Sequence, residues 1–309
     1  ADAPTVSTQA STGNENQAIA LNINVTPHAG DNNATLSVII GNVPTGGILS
    51  AGINNGNGTW TLTPAQLSGL TFTPPANADG QFNLSVTALA SENGTTATTN
   101  GNINITVGGV AEAPTLSVMT TTGAEDSAIP ITINAALVDN DGSETLSVTI
   151  GNVPAGATLS AGTNNGNGTW TLNPAQLSGL TITPPQDFNG ILNLNVTATS
   201  SENGTTANTT SPLTVTVTGI ADAPTLSTQA STGNENQTIA LNVSVVPHTG
   251  DNNATLSVTI GNVPTGGILS AGVNNGDGTW TLTPAQLSGL TFTPPANADG
   301  QFNLSVIAT

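Results

Sequence analysis

The sequence contains no lysine, arginine, cysteine or tyrosine in 309 residues. Against 18 acidic residues it has two histidines, and its formal net charge is −18 at pH 7. A chain without cationic side chains cannot neutralise phosphates, which excludes ordinary nucleic-acid binding and a basic patch for anionic lipids. We therefore expect no nucleic-acid partner and no membrane contact for this segment, and we expect partners that are cations or neutral polymers.

The missing cysteine and lysine also exclude two kinds of covalent cross-link. Disulfides cannot stabilise this chain, and lysine–asparagine isopeptide bonds cannot form. Apolar runs stay well short of the length of a membrane span, and no signal peptide begins the sequence. We expect any anchor or targeting segment to lie outside these residues.

Groups that could carry out catalysis are scarce. Serine and threonine are abundant, but residues 111–220 contain no histidine to act as a base. His28 and His248 occupy equivalent positions, where Val138 stands in the middle of the chain, and neither has a second histidine nearby in sequence. We predict that the protein is not an enzyme and that both histidines are surface loop residues.

A repeat of 110 residues organises the chain. Trp60, Trp170 and Trp280 are each separated by that interval, and NPAQLSGL at 173–180 corresponds to TPAQLSGL at 63–70 and 283–290. A period of this size matches a self-sufficient domain rather than a solenoid unit. We predict β-sandwich repeats at 1–110, 111–220 and 221–309, with the third lacking its last strand, joined by the proline-containing linkers ADAPT, AEAPT and ADAPT.

Strand signals dominate each repeat. Thr, Val, Ile and Leu alternate with small polar residues, and Gly, Asn or Pro interrupts them every 8 to 12 residues. We predict an all-β fold of about seven strands per repeat, a hairpin at TNNGNG (163–168) and one helix-like turn at PAQLSGL. Trp170 shares its strand face with Leu172, which favours a core position, although stacking on sugar rings is the alternative. In the middle repeat the predicted strands are 115–119, 128–138, 145–152, 158–161, 169–172, 180–183, 192–199 and 213–218.

Several motifs occur in order and carry a family resemblance. GAEDSAIPITINAALVDNDGSETLSVTIGNVPAGATLS (123–160) is followed by GNGTWTLNPAQLSGLTITPPQDFNG and TVTVTGIADAPTL. This pattern resembles the cadherin-like or Ig-like tandem repeats of giant bacterial surface adhesins exported by type I secretion, the RTX or biofilm type. The resemblance implies tandem Ig-like or cadherin-like sandwiches, an extracellular or cell-surface location, and calcium-dependent stiffening. The first and third repeats depart from it, because DNDGSE (139–144) reads AGDNNA at 29–34.

Almost all acidic residues fall in predicted loops, as calcium ligands would. Calcium takes six to eight oxygens, several of them carboxylates. In an Ig-like strand order, these loops meet at the joints between repeats, and the alternative is that the acids are solvated loop residues that keep the chain soluble. The candidate ligands are Glu15, Asp79, Glu112, Asp139, Asp141 and Glu144 at the first joint, and Glu125, Asp126, Asp187, Asp222 and Asp251 at the second; Glu202 is a loop acid assigned to neither.

Together these features predict extender repeats of an extracellular bacterial adhesin or surface filament, supporting cell adhesion or biofilm formation. Calcium is the expected cofactor, and neighbouring repeats, or other copies in a filament or matrix, are the expected partners. Two alternatives remain open from sequence. The faces rich in asparagine and threonine could bind glycans, ice or another copy, or the third repeat could be completed by a strand from a neighbouring chain.

Overall fold

The computed structural model describes residues 1–31, 33–251 and 254–309. Three separate hydrophobic clusters lie within residues 1–110, 111–220 and 221–309, which we call modules 1, 2 and 3. The described residues are all-β apart from three short 3₁₀ turns, Pro64–Leu67, Pro174–Gln176 and Pro284–Leu287. None of their helical segments has the length and hydropathy needed to cross a membrane.

Module 1 is built from three sheets. A six-stranded sheet has the order β2-β11-β10-β5-β8-β7, a three-stranded sheet the order β3-β9-β6, and β1 pairs with β4. β2 runs parallel to β11, and the other pairs are antiparallel. The strands are β1 (Thr5–Gln9), β2 (Ser11–Asn14), β3 (Ile19–Ala20), β4 (Asn22–Thr26), β5 (Thr35–Gly41), β6 (Ile48–Leu49), β7 (Ile53–Asn54), β8 (Trp60–Leu62), β9 (Thr71–Thr73), β10 (Gly80–Glu92) and β11 (Thr95–Gly108).

Module 2 repeats this topology strand for strand. Its sheets are β13-β22-β21-β16-β19-β18, β14-β20-β17 and β12-β15. The strands are β12 (Thr115–Met119), β13 (Thr121–Ala124), β14 (Ile129–Pro130), β15 (Thr132–Ala136), β16 (Thr145–Gly151), β17 (Thr158–Leu159), β18 (Thr163–Asn164), β19 (Trp170–Leu172), β20 (Thr181–Thr183), β21 (Gly190–Glu202) and β22 (Thr205–Thr218).

Module 3 has the same two smaller sheets but a reduced large one, of order β28-β29-β26-β31. Residues 231–234 have the same sequence as β2, yet within the described part of module 3 they form no strand, because they have no equivalent of β11 to pair with. The strands are β23 (Thr225–Gln229), β24 (Ile239–Ala240), β25 (Asn242–Val246), β26 (Val258–Gly261), β27 (Ile268–Leu269), β28 (Val273–Asn274), β29 (Trp280–Leu282), β30 (Thr291–Thr293) and β31 (Ser305–Ala308).

Each module is a sandwich whose core lies between the large sheet and the two smaller ones. In module 1, Leu84 and Val86 of β10 point inward and are fully buried, and they meet Phe72 from the three-stranded sheet. The intervening residues face outward, as the two-residue strand period requires. Trp60 and Trp280 are buried and Trp170 packs against its core, which confirms the predicted core position of the tryptophans.

The all-β sandwich class is confirmed, and the local predictions can be compared with it strand by strand. The predicted strand 128–138 is divided at Ile131, whose N–H donates to the carbonyl oxygen of Leu180, the residue before β20. β13 and β18 were not predicted as strands. Module 2 has eleven strands, nine of them of seven residues or fewer, where about seven continuous strands were expected. The hairpin at 163–168 is confirmed by the pairing of β18 with β19, and the PAQLSGL turn by the 3₁₀ segments.

Candidate metal sites at the joints

Four carboxylates from both modules converge at joint 1–2, where the loops of modules 1 and 2 meet the linker residues 109–114. Glu15 follows β2, Glu112 lies in the linker, Asp139 lies between β15 and β16, and Glu202 ends β21. One oxygen from each lies within 4.8 Å of the others. Glu15, Asp139 and Glu202 are only 2–3% exposed.

Hydrogen bonds from both modules fix the linker beside this cluster. Val110 N–H donates to Glu15 Oε1 at 2.6 Å, and Glu112 N–H donates to Glu144 Oε1 at 2.8 Å. Ser200 Oγ, fully buried, donates to Glu112 O at 2.5 Å. The linker is therefore held at successive residues rather than running free between two modules.

Glu112 Oε1 accepts a hydrogen bond from Asn16 Nδ2, and Asp139 Oδ1 accepts one from Asp141 N–H. Other carboxylate oxygens of the joint are buried without a partner. Six such oxygens lack a hydrogen-bond partner among the described residues: Glu15 Oε2, Glu112 Oε2, Asp139 Oδ2, Glu144 Oε2 and both oxygens of Glu202. Buried anions without a partner are costly, because burial removes hydration that nothing replaces. Space for Glu202 depends on Gly109, since a Cβ at residue 109 would lie 1.7 Å from Glu202 Oε1.

The electrostatics of joint 1–2 reflect this crowding. Burial raises the pKa of Glu15 to about 7, reinforced by the charges of Glu202, Glu112 and Asp139, although the Val110 N–H opposes the shift. Burial also raises the pKa values of Glu112 and Glu202, and neighbouring carboxylates add to both. Glu15, Glu112 and Glu202 therefore hold protons more tightly than isolated glutamates do, first because they are buried and second because like charges lie close to them.

A second pair of acids lies at the edge of the same joint. The pKa of Asp79 is raised by burial and by the charge of Asp141, to which its carboxyl is hydrogen-bonded. The pKa of Asp141 is lowered, chiefly because the Ser143 hydroxyl and N–H donate to it. All six acids predicted for the first joint thus lie in it, and Glu202 joins them. Glu202 is the last residue of the long strand β21, and the sequence around it did not predict that it would lie in the joint.

Joint 2–3, where the loops of modules 2 and 3 meet linker residues 219–224, is assembled similarly but is more open. Oxygens of Glu125, Asp222 and Asp251 lie within 4.8 Å of one another, and of these only Glu125 is buried. Ile220 N–H donates to Glu125 Oε1 at 2.6 Å, and Asp222 N–H donates to Asp251 Oδ2 at 2.8 Å.

The remaining two acids predicted for the second joint face each other in module 2. Asp187 N–H donates to Asp126 Oδ1 at 3.0 Å, and Asp187 continues into the joint. There it lies beside His248, whose Nδ1 is 3.8 Å from Asp187 Oδ1 and 3.6 Å from Asp222 Oδ2. His28 is exposed, as predicted for both histidines. His248 also lies in a loop, and its side chain is 33% exposed and contacts modules 2 and 3, a contact that the sequence did not predict.

Comparisons with known proteins describe the chain only by its likeness to other folds. No family model and no curated protein matches it. Solved structures that resemble it include Drosophila N-cadherin EC1-4 (16% identity, 99% of this chain, 71% of that chain, TM-score 0.31). They also include mouse protocadherin-24 EC1-3 (14% identity, 70% of each chain, TM-score 0.31) and the D00-D0 domain of intimin (18% identity, 68% of this chain, 99% of that chain, TM-score 0.27). At these TM-scores the sandwich assignment stands on the strand pairings described above.

Proposed function

We propose that this chain is a run of extender modules from an extracellular bacterial adhesin or surface filament, stiffened by calcium at its joints. The observation that carries the proposal is the buried group of Glu15, Glu112, Asp139 and Glu202, contributed by two modules and the linker between them. A group that spans two modules can couple their orientation, which a site inside one module cannot do.

The donor set fits calcium. One oxygen from each of Glu15, Glu112, Asp139 and Glu202 lies within 4.8 Å of the others, and these four would supply at least half of the six to eight oxygens that calcium takes. They are hard donors, and among the described residues of this joint no nitrogen or sulfur ligand accompanies them. Calcium, when bound, would supply the positive charge that the sequence cannot, since it has no lysine or arginine.

The chain's own residues prepare the joint for this role. Glu15 and Glu144 each use one oxygen to accept a linker N–H, which leaves the other oxygen free for an ion. Ser200 and Thr205 hold the linker from module 2, Ser200 by donating to Glu112 O and Thr205 by accepting from Ala111 N–H. Removal of the ion would leave mutual repulsion among the carboxylates as the dominant force, and we expect the joint to loosen.

Small-angle scattering and thermal melting of the 309-residue chain, each with calcium and with chelator, test the proposal. Calcium should raise the melting temperature and increase the maximum dimension as the joints straighten. Magnesium at the same concentration is the control, because it demands near-octahedral geometry and dehydrates reluctantly. Unchanged length and melting temperature on chelation would contradict the role of calcium.

A second candidate function, acceptance of a strand from a neighbouring chain, is supported by a groove in module 3. The groove has a volume of about 830 Å³ and is lined by Phe302, Leu304 and Val306 among others. In module 1 the equivalent Leu84 and Val86 are 0% exposed, because β11 covers them. An extended segment with the apolar alternation of β11 would fit the same surface.

A further inference from the structure

Joint 2–3 contains a group of ligands that is chemically unlike the oxygen cluster of joint 1–2. His248 belongs to module 3, Asp222 to the linker and Asp187 to module 2. One ligand atom from each lies within 4.8 Å of the others. We propose that these three residues form a separate site for a borderline transition-metal cation of the zinc class, independent of the calcium proposed for joint 1–2.

The distances are close to those of a metal site. His248 Nδ1 is 3.6 Å from Asp222 Oδ2 and 3.8 Å from Asp187 Oδ1. Two ligands of a tetrahedral zinc ion at 2.0–2.1 Å are about 3.3 Å apart, so movements of about half an ångström would close the site. Three protein ligands leave a fourth position for water, the usual arrangement of an open zinc site.

His248 Nδ1 itself points to a missing partner. It is buried, and no hydrogen-bond partner for it exists among the described residues. An imidazole nitrogen aimed between two carboxylates normally donates a hydrogen bond to one of them or ligates a metal. Here both carboxylates lie beyond hydrogen-bond distance of Nδ1. A cation could therefore bind between Nδ1 and the two carboxylate oxygens.

The local backbone is shaped to bring module 3 against Asp187. Gly250, two residues after His248, has φ +116°, and a Cβ there would lie 2.7 Å from Asp187 Cβ. At joint 1–2 the position equivalent to Gly250 is Asn140 rather than glycine. At joint 2–3 the close approach of Gly250 to Asp187 places a carboxylate of the preceding module beside His248.

The two joints differ in both members of this contact. At the positions of His248 and Asp187, joint 1–2 has Val138 and Asn77, so the imidazole and the carboxylate are present together or absent together. The change from Glu112 to Asp222 in the linker keeps a carboxylate in both joints. Imidazole nitrogen with carboxylate oxygen suits zinc and its neighbours, whereas calcium prefers oxygen alone.

Titration of the 309-residue chain with zinc, in the presence of saturating calcium, tests the proposal. Calorimetry should show one zinc ion bound tightly, and cobalt(II) at the same site should give visible absorption typical of a site with nitrogen and oxygen ligands. His248→Val and Asp187→Asn install the residues found at joint 1–2, and each should weaken zinc binding at least tenfold. Melting curves with calcium alone report whether each variant still folds.

His28→Val is the matched control, since His28 Nδ1 lies 3.5 Å from Asp2 Oδ2 in an exposed copy of the same loop. It should bind zinc like the unmodified chain. Equal affinity in His248→Val and the unmodified chain would overturn the proposal. So would an equal loss in His28→Val, and so would weak binding of several ions in every variant, which would indicate adventitious binding to surface acids. The scattering response to calcium reports on the proposed function separately.

Discussion

The backbone N–H of Val110 lies 2.6 Å from Oε1 of Glu15, a carboxylate that is only 2% exposed. This bond connects the end of module 1 to a side chain of the same module, and it leaves the second oxygen of Glu15 buried without a partner. Glu15 thereby serves as a linker anchor and as a candidate ligand at once. Its two roles can be separated by mutation.

Glu15→Gln should have opposite effects with and without calcium. In chelator it should stabilise module 1 by on the order of 1–3 kcal/mol, because a buried, crowded charge is removed while an amide oxygen still accepts from Val110. With calcium it should reduce the calcium-induced rise in melting temperature. Chemical denaturation in both conditions measures this crossover.

Glu235→Gln is the control for that change, since Glu235 occupies the same loop position in module 3 and is exposed. It should change the free energy of unfolding by no more than about 0.5 kcal/mol, either with calcium or with chelator. If Glu15→Gln destabilises the metal-free chain, repulsion among the carboxylates of joint 1–2 is not what limits its stability.

Stability of the metal-free chain should fall as pH rises from about 4.5 to about 7. The folded state holds the Glu15 proton with a pKa of about 7 against an ordinary value of 4.5, so deprotonation favours unfolding in that window. Glu15 alone would contribute on the order of 3 kcal/mol. Unfolding in chelator at pH 5 and pH 7.5 checks the sign, and a chain that grows more stable over this range would contradict it. Glu15→Gln should flatten the profile.

Ser200→Ala should loosen the linker without disturbing the core. The hydroxyl donates to Glu112 O and is fully buried, so its loss leaves a carbonyl unpartnered at a cost of about 1–2 kcal/mol. Ala90 occupies the same position in module 1, which shows that alanine fits the strand. Denaturation of module 2 and scattering in calcium measure the effect. Ser201→Ala, on the outer face next to it, should be close to neutral.

A peptide with the sequence of residues 95–108 should bind module 3 if the groove accepts a strand. Hydrogen exchange should then slow at residues 231–234 and 302–306, which β11 would pair with by analogy with module 1. The same peptide with Asn at the positions of Ile103 and Ile105 is the control, because it loses the apolar side chains that fill the core. Equal binding of both peptides, or protection elsewhere, would rule out this function. Sedimentation of the chain alone distinguishes self-association.

The fold could be predicted from sequence where alternation is strong. The long strands β10 and β21 show clean two-residue periodicity, and the repeated tryptophan set the module length. β13 was missed because its sequence, TTGA, has no apolar alternation and is a strand only through pairing with β22. Residues 231–234 make the same point, since an identical sequence to β2 forms no strand without that partner.

The acidic residues of the joints could be predicted where an Ig-like strand order indicates which loops meet at a joint. Glu15, Glu112 and Asp139 were expected at one joint and lie there together. Glu202 was not predicted, because it reaches the joint only through the length of the β21–β22 hairpin, whose turn lies there. The contact between His248 and Asp187 was not predicted, because Asp187 lies in a loop of the preceding module, 61 residues earlier in the sequence. No local pattern reveals such a contact.

The parallel pairing of β2 with β11 also determines how a module would bear a load. When the array is pulled from its two ends, tension enters module 1 through β1, which is paired with β4, reaches β2 next, and leaves the module through β11. Because β2 and β11 lie side by side and parallel over Ser11–Asn14 and residues 105–108, the pull is along the strands, and their hydrogen bonds must shear together rather than break in sequence. Each complete module is therefore arranged as a mechanical clamp. The array can transmit force without its terminal strands being peeled away one hydrogen bond at a time.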